Sequence, residues 1–224
     1  MSVSRALLVF AKAPKPGNVK TRLLPAVSPK EATDLHAACI VDTLRLSRGL
    51  RRVDVLWFTA GGPGHFRKLR KIQPGTTPAT FSQRGGNLGA RLEHAFGKGF
   101  RAGYREIVVI GTDTPWMGSA RLRAAFVALR AADVVIGPAE DGGYYLLGMN
   151  KPIPEVFRDI PWSTDGVLTA TLKAISRAKL RVKLLPKDFD LDRPKDLQNA
   201  RRLLKTKPRL APALAAAIRK KFPL

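Results

Sequence analysis

The sequence predicts a single three-layer α/β domain with a mostly parallel sheet, and two features of the chain indicate this fold class. Short, unbroken apolar runs, typical of buried parallel strands, alternate with segments of helical periodicity throughout the chain. The length of 224 residues suits one such domain with its own core. We therefore expect one domain over residues 1–224, with a core at about 5–205 and a basic tail at 206–224.

Each element follows from a local pattern. The first strand, at 6–11, is a continuous apolar run, and the first helix, at 28–49, begins with a capping-box sequence in which Ser28 precedes Pro29 and Glu31. Further apolar runs predict strands at 53–60, 79–82, 107–110, 133–137, 142–148 and 180–185. The segments between them predict helices near 66–72, 87–102, 119–131, 164–178 and 194–204, with one more short helix in the tail.

Composition limits the classes of function. No run of about 20 apolar residues is present, so we expect no membrane span. A single cysteine excludes an intramolecular disulfide framework, and we expect a cytoplasmic protein. The formal net charge is +23, with 40 Lys and Arg against 17 Asp and Glu. The excess is spread over helices and the tail, without aromatic stacking platforms, so we expect nucleic-acid binding only through non-specific electrostatics.

The first candidate for chemistry is the loop at 12–22, which follows the first strand. Ligands of wound α/β sheets collect at the carboxyl ends of strands, and this loop carries four cations, two prolines and Gly17. Such a loop can wrap a di- or triphosphate through backbone N–H groups and cationic side chains, among them Lys20 and Arg22. We expect both side chains to lie in the loop and outside the core. The alternative is an ordinary basic surface loop.

Two further strand ends carry carboxylates. Asp113 follows the most apolar strand, in a turn held by Gly111, and would point into the crevice where a phosphate-bound cation sits. Asp190 and Asp192 alternate on an extended segment, so that one can face the same crevice. The alternatives are that Asp113 caps the turn that follows it and that Asp192 caps the next helix.

Two weaker candidates lie later in the chain. Asp141 precedes the pair Gly142 and Gly143, which permits a tight turn or a close approach of a ligand. Trp162 and Ser163 precede a helix, and their alternative roles are core packing and helix capping. The three histidines show no ligand-like spacing, so we interpret them as structural or exposed.

Five segments in this order resemble a bacterial family of small GT-A-fold transferases: FAKAPKPGNVKTRL, IGTDTP, GPAEDGGYYLLG, IPWST and DLDRPKDL. That family is usually described as radical-SAM/selenodomain-associated or arsenosugar-biosynthesis glycosyltransferases. Its wider superfamily of nucleotide-diphospho-sugar transferases includes the molybdenum-cofactor and 2-phospho-lactate guanylyltransferases. The resemblance covers about residues 6–204. The chain departs from the family at 86–90, where Gly-Asn-Leu-Gly-Ala lacks two usual acids.

The resemblance implies three groups of site residues. The first group would hold the phosphates of a nucleotide or nucleotide-sugar donor: Gly17, Lys20 and Arg22. The second would bind a divalent metal, Mg²⁺ or Mn²⁺: Asp113 and Asp192. The third would face a small-molecule acceptor: Gly142, Gly143, Trp162, Ser163 and Asp141, of which Asp141 is the available carboxylate base. Catalysis would depend on Asp113, Lys20 and Asp141.

The expected function is a metal-dependent transferase that uses a nucleotide-activated donor. Glycosyl transfer from a nucleotide-diphospho-sugar is the first expectation. The alternative is guanylyltransferase-like nucleotidyl transfer from a nucleoside triphosphate to a phosphorylated acceptor. Either reaction would rely on electrostatic stabilisation and positioning more than on a protein nucleophile. A third hypothesis is a non-catalytic polyanion binder driven by the net charge. The sequence indicates no oligomeric state.

Overall fold

A computed structural model describes residues 4–61 and 79–222 and contains one sheet within them. Its seven strands lie in the order β3-β2-β1-β4-β6-β5-β7, and all are parallel except β6, which is antiparallel to β4 and β5. The strands are β1 Arg5–Lys12, β2 Asp54–Ala60, β3 Ala79–Ser82, β4 Glu106–Ile110, β5 Val134–Pro138, β6 Tyr144–Met149 and β7 Val182–Leu184. The mostly parallel sheet of the sequence prediction is confirmed.

The α-helices of the described residues are α1 Pro29–Arg48, α2 Leu88–Arg101, α3 Gly118–Ala128, α4 Val167–Arg177, α5 Pro194–Thr206 and α6 Pro212–Lys221. Helices α1 and α3 cover one face of the sheet, and α2 and α4 cover the other. The side chains of β1 alternate between the two cores, with Leu7 and Val9 on the α1 side and Leu8 on the α2 side. The predicted three-layer architecture is therefore confirmed. No helix in the described ranges is long and apolar enough to cross a membrane.

Two helix starts are fixed by side-chain caps. The predicted capping box is present, since the Ser28 hydroxyl accepts from Glu31 N (3.3 Å) and the Glu31 carboxylate accepts from Ser28 N (2.8 Å). Asn87, at a position where the resembled family usually has an acid, caps α2 by accepting from Ala90 N (2.9 Å). The amide thus keeps the capping function that an acid would have there.

Helix α6 confirms the short helix expected in the tail, and a side chain from α1 caps it. The buried carboxylate of Asp42 accepts hydrogen bonds from Ala213 N (3.0 Å) and Leu214 N (2.8 Å). These are orphan N–H groups of the first turn, which no local Ser, Thr, Asp or Asn satisfies. Helices α1, α5 and α6 together enclose an apolar cluster beside the sheet.

Some predicted boundaries shift in the structure. The predicted strand at 142–148 begins at Tyr144, because residues 139–143 form the turn that reverses the chain between β5 and β6. The predicted helix at 119–131 ends at Ala128, and that at 164–178 begins at Val167. The helix predicted near 66–72 lies outside the described residues.

Candidate active site

Two adjoining cavities lie at the carboxyl ends of β1 and β4. The larger, of about 300 Å³, has mostly apolar walls on the α2 side of the sheet. The smaller, of about 220 Å³, is bordered by the loop that follows β1. Both are lined by Lys12, His36 and Asp113, so the cavities are contiguous at these residues. This is the edge at which parallel sheets bind ligands.

Lys20 lies between two carboxylates at this edge. Its Nζ is 2.5 Å from Asp113 Oδ1 and 3.2 Å from Asp192 Oδ1. We call Lys20, Asp113 and Asp192 the charged triad. The Lys20 side chain is only 3% exposed, whereas those of Asp113 and Asp192 are 39% and 36% exposed. The expectation that Lys20 lies outside the core is therefore wrong, since its ammonium is enclosed beneath the carboxylates.

The backbone around Lys20 explains this burial. Lys20 adopts a left-handed conformation (φ 51°, ψ 34°) and precedes a short 3₁₀ helix, Thr21–Leu23. Its neighbour Val19 and the 3₁₀ residue Leu23 are both buried. These apolar anchors turn the chain so that the side chain of Lys20 points inward, at the cost of a backbone conformation that L-residues rarely adopt.

The segment at 188–192 lies along the turn that follows β4 and brings the later carboxylates to Asp113. Leu191 N donates to the carbonyl of Asp113 (2.9 Å), and Thr114 Oγ1 donates to the Asp190 carboxylate. The rings of Trp116 and Phe189 stack with centroids 4.5 Å apart. The predicted proximity of Asp113 and Asp192 thus agrees with the geometry.

Within residues 4–61 and 79–222, neither the Asp113 nor the Asp192 carboxylate accepts a hydrogen bond from the backbone of the turn or helix that follows it. Asp196 caps α5, since its Oδ2 accepts from Arg193 N (2.7 Å) and Asp192 N (3.1 Å). The Asp192 side chain is therefore available for Lys20. The Asp113 carboxylate likewise bonds the Lys20 ammonium, while its own turn is held by backbone hydrogen bonds such as Met117 N to Thr114 O.

Electrostatics at the site favour the ionised forms of Lys20 and Asp113, whereas burial raises the pKa of the Asp192 carboxyl in spite of Lys20. Burial by itself would raise the pKa of the Asp113 carboxyl, but the Lys20 ammonium more than offsets it and holds that pKa below its usual range. Burial would likewise lower the pKa of Lys20, and the carboxylates of Asp113 and Asp192 instead raise it. Both groups are charged at neutral pH as a result. Burial raises the pKa of the neighbouring Asp190 to about 7, against the hydrogen bond from Thr114.

The two other members of the predicted phosphate loop lie at the surface. The Arg22 side chain is 57% exposed, with its guanidinium 4.0 Å from the Asp192 carboxylate. Gly17 has a positive φ of 77°, and a Cβ at that position would meet nothing within 4 Å. The loop is therefore open on the Gly17 side, where a phosphate could approach the backbone.

None of the five residues that were predicted to face an acceptor lines the larger cavity, and Trp162 is linked to it through Tyr144. Gly142 (φ 88°) packs so tightly on the 165 backbone that a Cβ would lie 2.1 Å from the Asp165 carbonyl oxygen. Trp162 meets the Tyr144 ring edge-on, with centroids 6.3 Å apart, and Tyr144 lines the cavity. Trp162 also covers Gly89, where a Cβ would lie 2.2 Å from the indole nitrogen.

Two of these predicted acceptor residues have local backbone roles. The exposed Asp141 carboxylate accepts from Gly143 N (2.9 Å). Ser163 adopts a positive φ of 70° in the turn before α4. The acceptor and base roles of these residues remain predictions.

Sequence reasoning missed two residues that line the larger cavity, His36 and Gln83. The His36 ring donates through Nε2 to the Lys12 carbonyl (2.9 Å), and its Nδ1 is buried without a partner among the described residues. Burial lowers the pKa of His36, so the imidazole is neutral. No sequence signal identified His36, whereas the position of Gln83 directly after a predicted strand could have identified Gln83.

The donor set suits a divalent metal that arrives with a nucleotide. Within 4–61 and 79–222, no cluster of three or more His, Cys, Asp or Glu could hold a metal ion. The two triad carboxylates nevertheless converge on one cation, the Lys20 ammonium. Mg²⁺ is usually bound by one or two carboxylates together with substrate phosphates. Asp113 and Asp192 fit that requirement.

Comparison with known proteins shows family and fold. Residues 43–164, just over half of the chain, match the model of a family described as "Uncharacterized protein conserved in bacteria (DUF2064)". A candidate nucleotide-diphospho-sugar transferase from Desulfovibrio desulfuricans G20 is 34% identical, with a TM-score of 0.86 and 98% of each chain covered. No curated protein matches the chain in sequence.

More distant structures share the fold alone. One is CMP:2-keto-3-deoxy-manno-octonic acid synthetase in complex with CTP (12% identity, TM-score 0.55, 91% of this chain and 100% of that chain covered). Another is Rv0371c from Mycobacterium tuberculosis H37Rv in complex with manganese (18% identity, TM-score 0.52, 92% and 100% covered). The predicted GT-A-like fold is thereby confirmed.

Proposed function

The chain belongs to the DUF2064 family, and on that premise we propose that it is a metal-dependent transferase acting on a nucleotide-activated donor. Its 34% identity to a candidate nucleotide-diphospho-sugar transferase over nearly the whole length favours glycosyl transfer from a nucleotide-diphospho-sugar. The resemblance of its five motifs to GT-A-fold glycosyltransferases points the same way. The small molecule that accepts the sugar would enter beside Tyr144 and Trp162.

The observation that carries this proposal is the charged triad at the carboxyl ends of β1 and β4. A buried ammonium beside two partly exposed carboxylates provides one group for phosphate oxygens and two for a phosphate-bound cation. Asp113 and Asp192 would hold Mg²⁺ or Mn²⁺, which neutralises charge on the donor's phosphates. Lys20 and Arg22 would bind the phosphate oxygens and stabilise the charge on the departing nucleoside diphosphate.

Nucleotidyl transfer is the second candidate, because three cations border the smaller cavity. Lys12, Lys20 and Arg22 line this cavity together, which is enough positive charge for a triphosphate. The same residues would then stabilise charge at the α-phosphorus while an acceptor phosphate attacks, and that acceptor needs no protein base. The distant CTP complex shares this fold, which is compatible with such chemistry.

Product analysis separates the two reactions. Release of a nucleoside diphosphate from a nucleotide-sugar indicates glycosyl transfer, and release of pyrophosphate from a nucleoside triphosphate indicates nucleotidyl transfer. Substrates are found first by a thermal-shift panel of nucleotides and nucleotide-sugars with Mg²⁺ or Mn²⁺, because a ligand that binds only the folded state raises its stability.

The matched pair Asp113→Asn and Asp34→Asn tests the site itself. Asp34 is an exposed carboxylate that pairs with Lys30 on the surface of α1, so its substitution removes the same charge away from the site. We expect metal-dependent nucleotide binding to weaken about tenfold or more in Asp113→Asn and to stay unchanged in Asp34→Asn. If added Mn²⁺ strengthens nucleotide binding equally in the wild type and Asp113→Asn, Asp113 is not a ligand and the proposed site is wrong.

A further inference from the structure

A further cavity, of about 560 Å³, lies between the second half of α2 and the strands β2 and β3. None of the described residues that line it lines either cavity of the candidate active site. An α-helix rises about 1.5 Å per residue, so Lys98 in this cavity lies about 15 Å along α2 from Leu88 in the larger active-site cavity. We call this cavity the α2 groove. Its principal lining residues are Leu56, Phe81, His94, Lys98, Arg101 and Tyr104.

The two cations of the α2 groove have no acidic partner. Lys98 and Arg101 lie three residues apart on α2 and therefore project on the same side of the helix. Among the residues that the structure describes, neither side chain pairs with a carboxylate, and the Lys98 ammonium lies 4.3 Å from the centroid of the Phe81 ring. Tyr104, at the same groove, donates to the carboxylate of Asp54 (2.8 Å). Both cations are therefore available to an anionic ligand.

His94 adds a polar group whose hydrogen-bonding capacity is unused. In the described part of the chain its Nδ1 is buried without a hydrogen-bond partner. Burial lowers the pKa of the imidazole, and the positive charges of Arg84, Arg101 and Lys98 lower it further, so the ring is neutral. A phosphate bound among these cations would offset their charge and favour the protonated ring, in which both nitrogens are donors.

The sheet side of the α2 groove is apolar. Leu56 of β2 and Phe81 of β3 line it, and Phe81 packs on the fully buried Phe58 with ring centroids 5.4 Å apart. The Phe81 ring is thereby held in place opposite α2. A flat apolar group can lie against this wall while an attached anion faces Lys98 and Arg101.

We propose that the α2 groove is a second ligand site, separate from the donor site, for a small molecule that carries a phosphate on a flat apolar body. The phosphate oxygens would accept hydrogen bonds from the Lys98 ammonium and the Arg101 guanidinium. The body of the ligand would pack against Leu56 and Phe81. This inference goes beyond the proposed function and does not depend on it.

Titration with phenyl phosphate, followed through the histidine NMR signals, tests this site. His94 reports the α2 groove and His36 reports the candidate active site, and His94→Gln identifies the His94 signal. We expect a saturable shift of the His94 signal, and weaker binding of inorganic phosphate, which lacks the ring. In Lys98→Met the Kd for phenyl phosphate should rise about tenfold. Lys220→Met, which removes one exposed charge on α6, should bind as the wild type does.

Three results would overturn the inference. The first is a His94 signal that does not move in the wild type, or that moves without saturating. The second is a shift confined to the other histidines, which would place phenyl phosphate elsewhere. The third is equal weakening in Lys98→Met and Lys220→Met, which would show that net charge attracts the anion. The wild-type titration decides the first two, and because phenyl phosphate has no nucleoside, none of the three bears on the proposed function.

Discussion

Replacement of Lys20 by methionine should destabilise the protein and make its stability depend on divalent metal. Methionine keeps the apolar stem of the buried side chain and removes the ammonium that lies 2.5 Å from Asp113 and 3.2 Å from Asp192. The two carboxylates then face each other with only the exposed Arg22 guanidinium, 4.0 Å from Asp192, as a counter-ion. An added divalent cation should bind between them.

The magnitude follows from the exposure of the three groups. Removal of one partner of a buried ion pair costs about 3–5 kcal/mol, and a fully exposed pair contributes about 0–1 kcal/mol. Lys20 is 3% exposed, but the carboxylates are 39% and 36% exposed and remain partly solvated. We therefore expect a loss of about 2 kcal/mol in the free energy of unfolding. For a chain of this size, that corresponds to a fall in Tm of about 4–8 °C.

Denaturant unfolding with and without Mn²⁺ measures both effects. At a metal concentration of about 100 times Kd, a bound ion contributes about 2.7 kcal/mol, enough to offset the whole loss in Lys20→Met. In the absence of nucleotide the wild type should respond less to metal, because its own ammonium lies between the carboxylates and no donor phosphate is present to draw it away. Lys30→Met is the control, since Lys30 pairs with Asp34 on the surface and its side chain is 82% exposed. That variant should be about as stable as the wild type, because an exposed ion pair contributes little.

Two results would refute this reasoning. If Lys20→Met is no less stable than Lys30→Met, the ammonium is not enclosed by the carboxylates as the structure has it. If Mn²⁺ stabilises Lys20→Met and the wild type equally, Asp113 and Asp192 do not converge on a shared cation position.

Two further predictions concern packing and pH. Gly89→Ala should lower the free energy of unfolding by about 1–3 kcal/mol, because the added Cβ would lie 2.2 Å from the Trp162 indole nitrogen. Gly97→Ala on the same helix should instead raise the free energy of unfolding by about 0.5–1 kcal/mol. Urea unfolding measures both changes, and equal effects would contradict the packing of Trp162 on Gly89. The hydrogen bond from the backbone N–H of Arg181 is the main cause that lowers the pKa of Asp133 to about 2. The ionised Asp133 carboxylate therefore stabilises the folded state fully above about pH 4, and this stabilisation is lost as the pH falls through 2. Asp133→Asn should therefore be about 1–2 kcal/mol less stable than the wild type at pH 7 and equally stable below pH 2. Denaturant unfolding at several pH values in that range measures the difference, and a difference in stability that does not change with pH would refute this role of Asp133.

Local patterns predicted the sheet and the carboxylates because these features depend on neighbours in the chain. The run at 107–110 identified a central strand, and the rule that ligands gather at carboxyl ends placed Asp113 there. The capping box at Ser28 is likewise a short-range signal. The reversed direction of β6 was not predicted, since an apolar run does not show which way its strand points.

The features that escaped prediction depend on contacts between distant segments. The Lys20 ammonium is enclosed by Asp113 and Asp192, which lie 93 and 172 residues away in the chain, and nothing in a basic, proline-rich loop indicates these partners. Gln83 owes its orientation to carbonyl groups of β1 and β2, at residues 11 and 58. Periodicity and motif spacing carry no information on such pairings.

The cap that Asp42 provides for α6 has a consequence for the order of events during synthesis. The carboxylate and its two N–H donors are separated by 171 and 172 residues. At roughly 5–20 residues per second, a ribosome needs about 10–30 s to cover that distance. Throughout this interval the face of α1 that contains Leu35 and Cys39 lacks its α6 partner. Nascent chains arrested before Pro212 should therefore bind an apolar dye or a chaperone more strongly than chains released after α6 is complete. Equal binding would show that other segments cover this face of α1 before α6 is made.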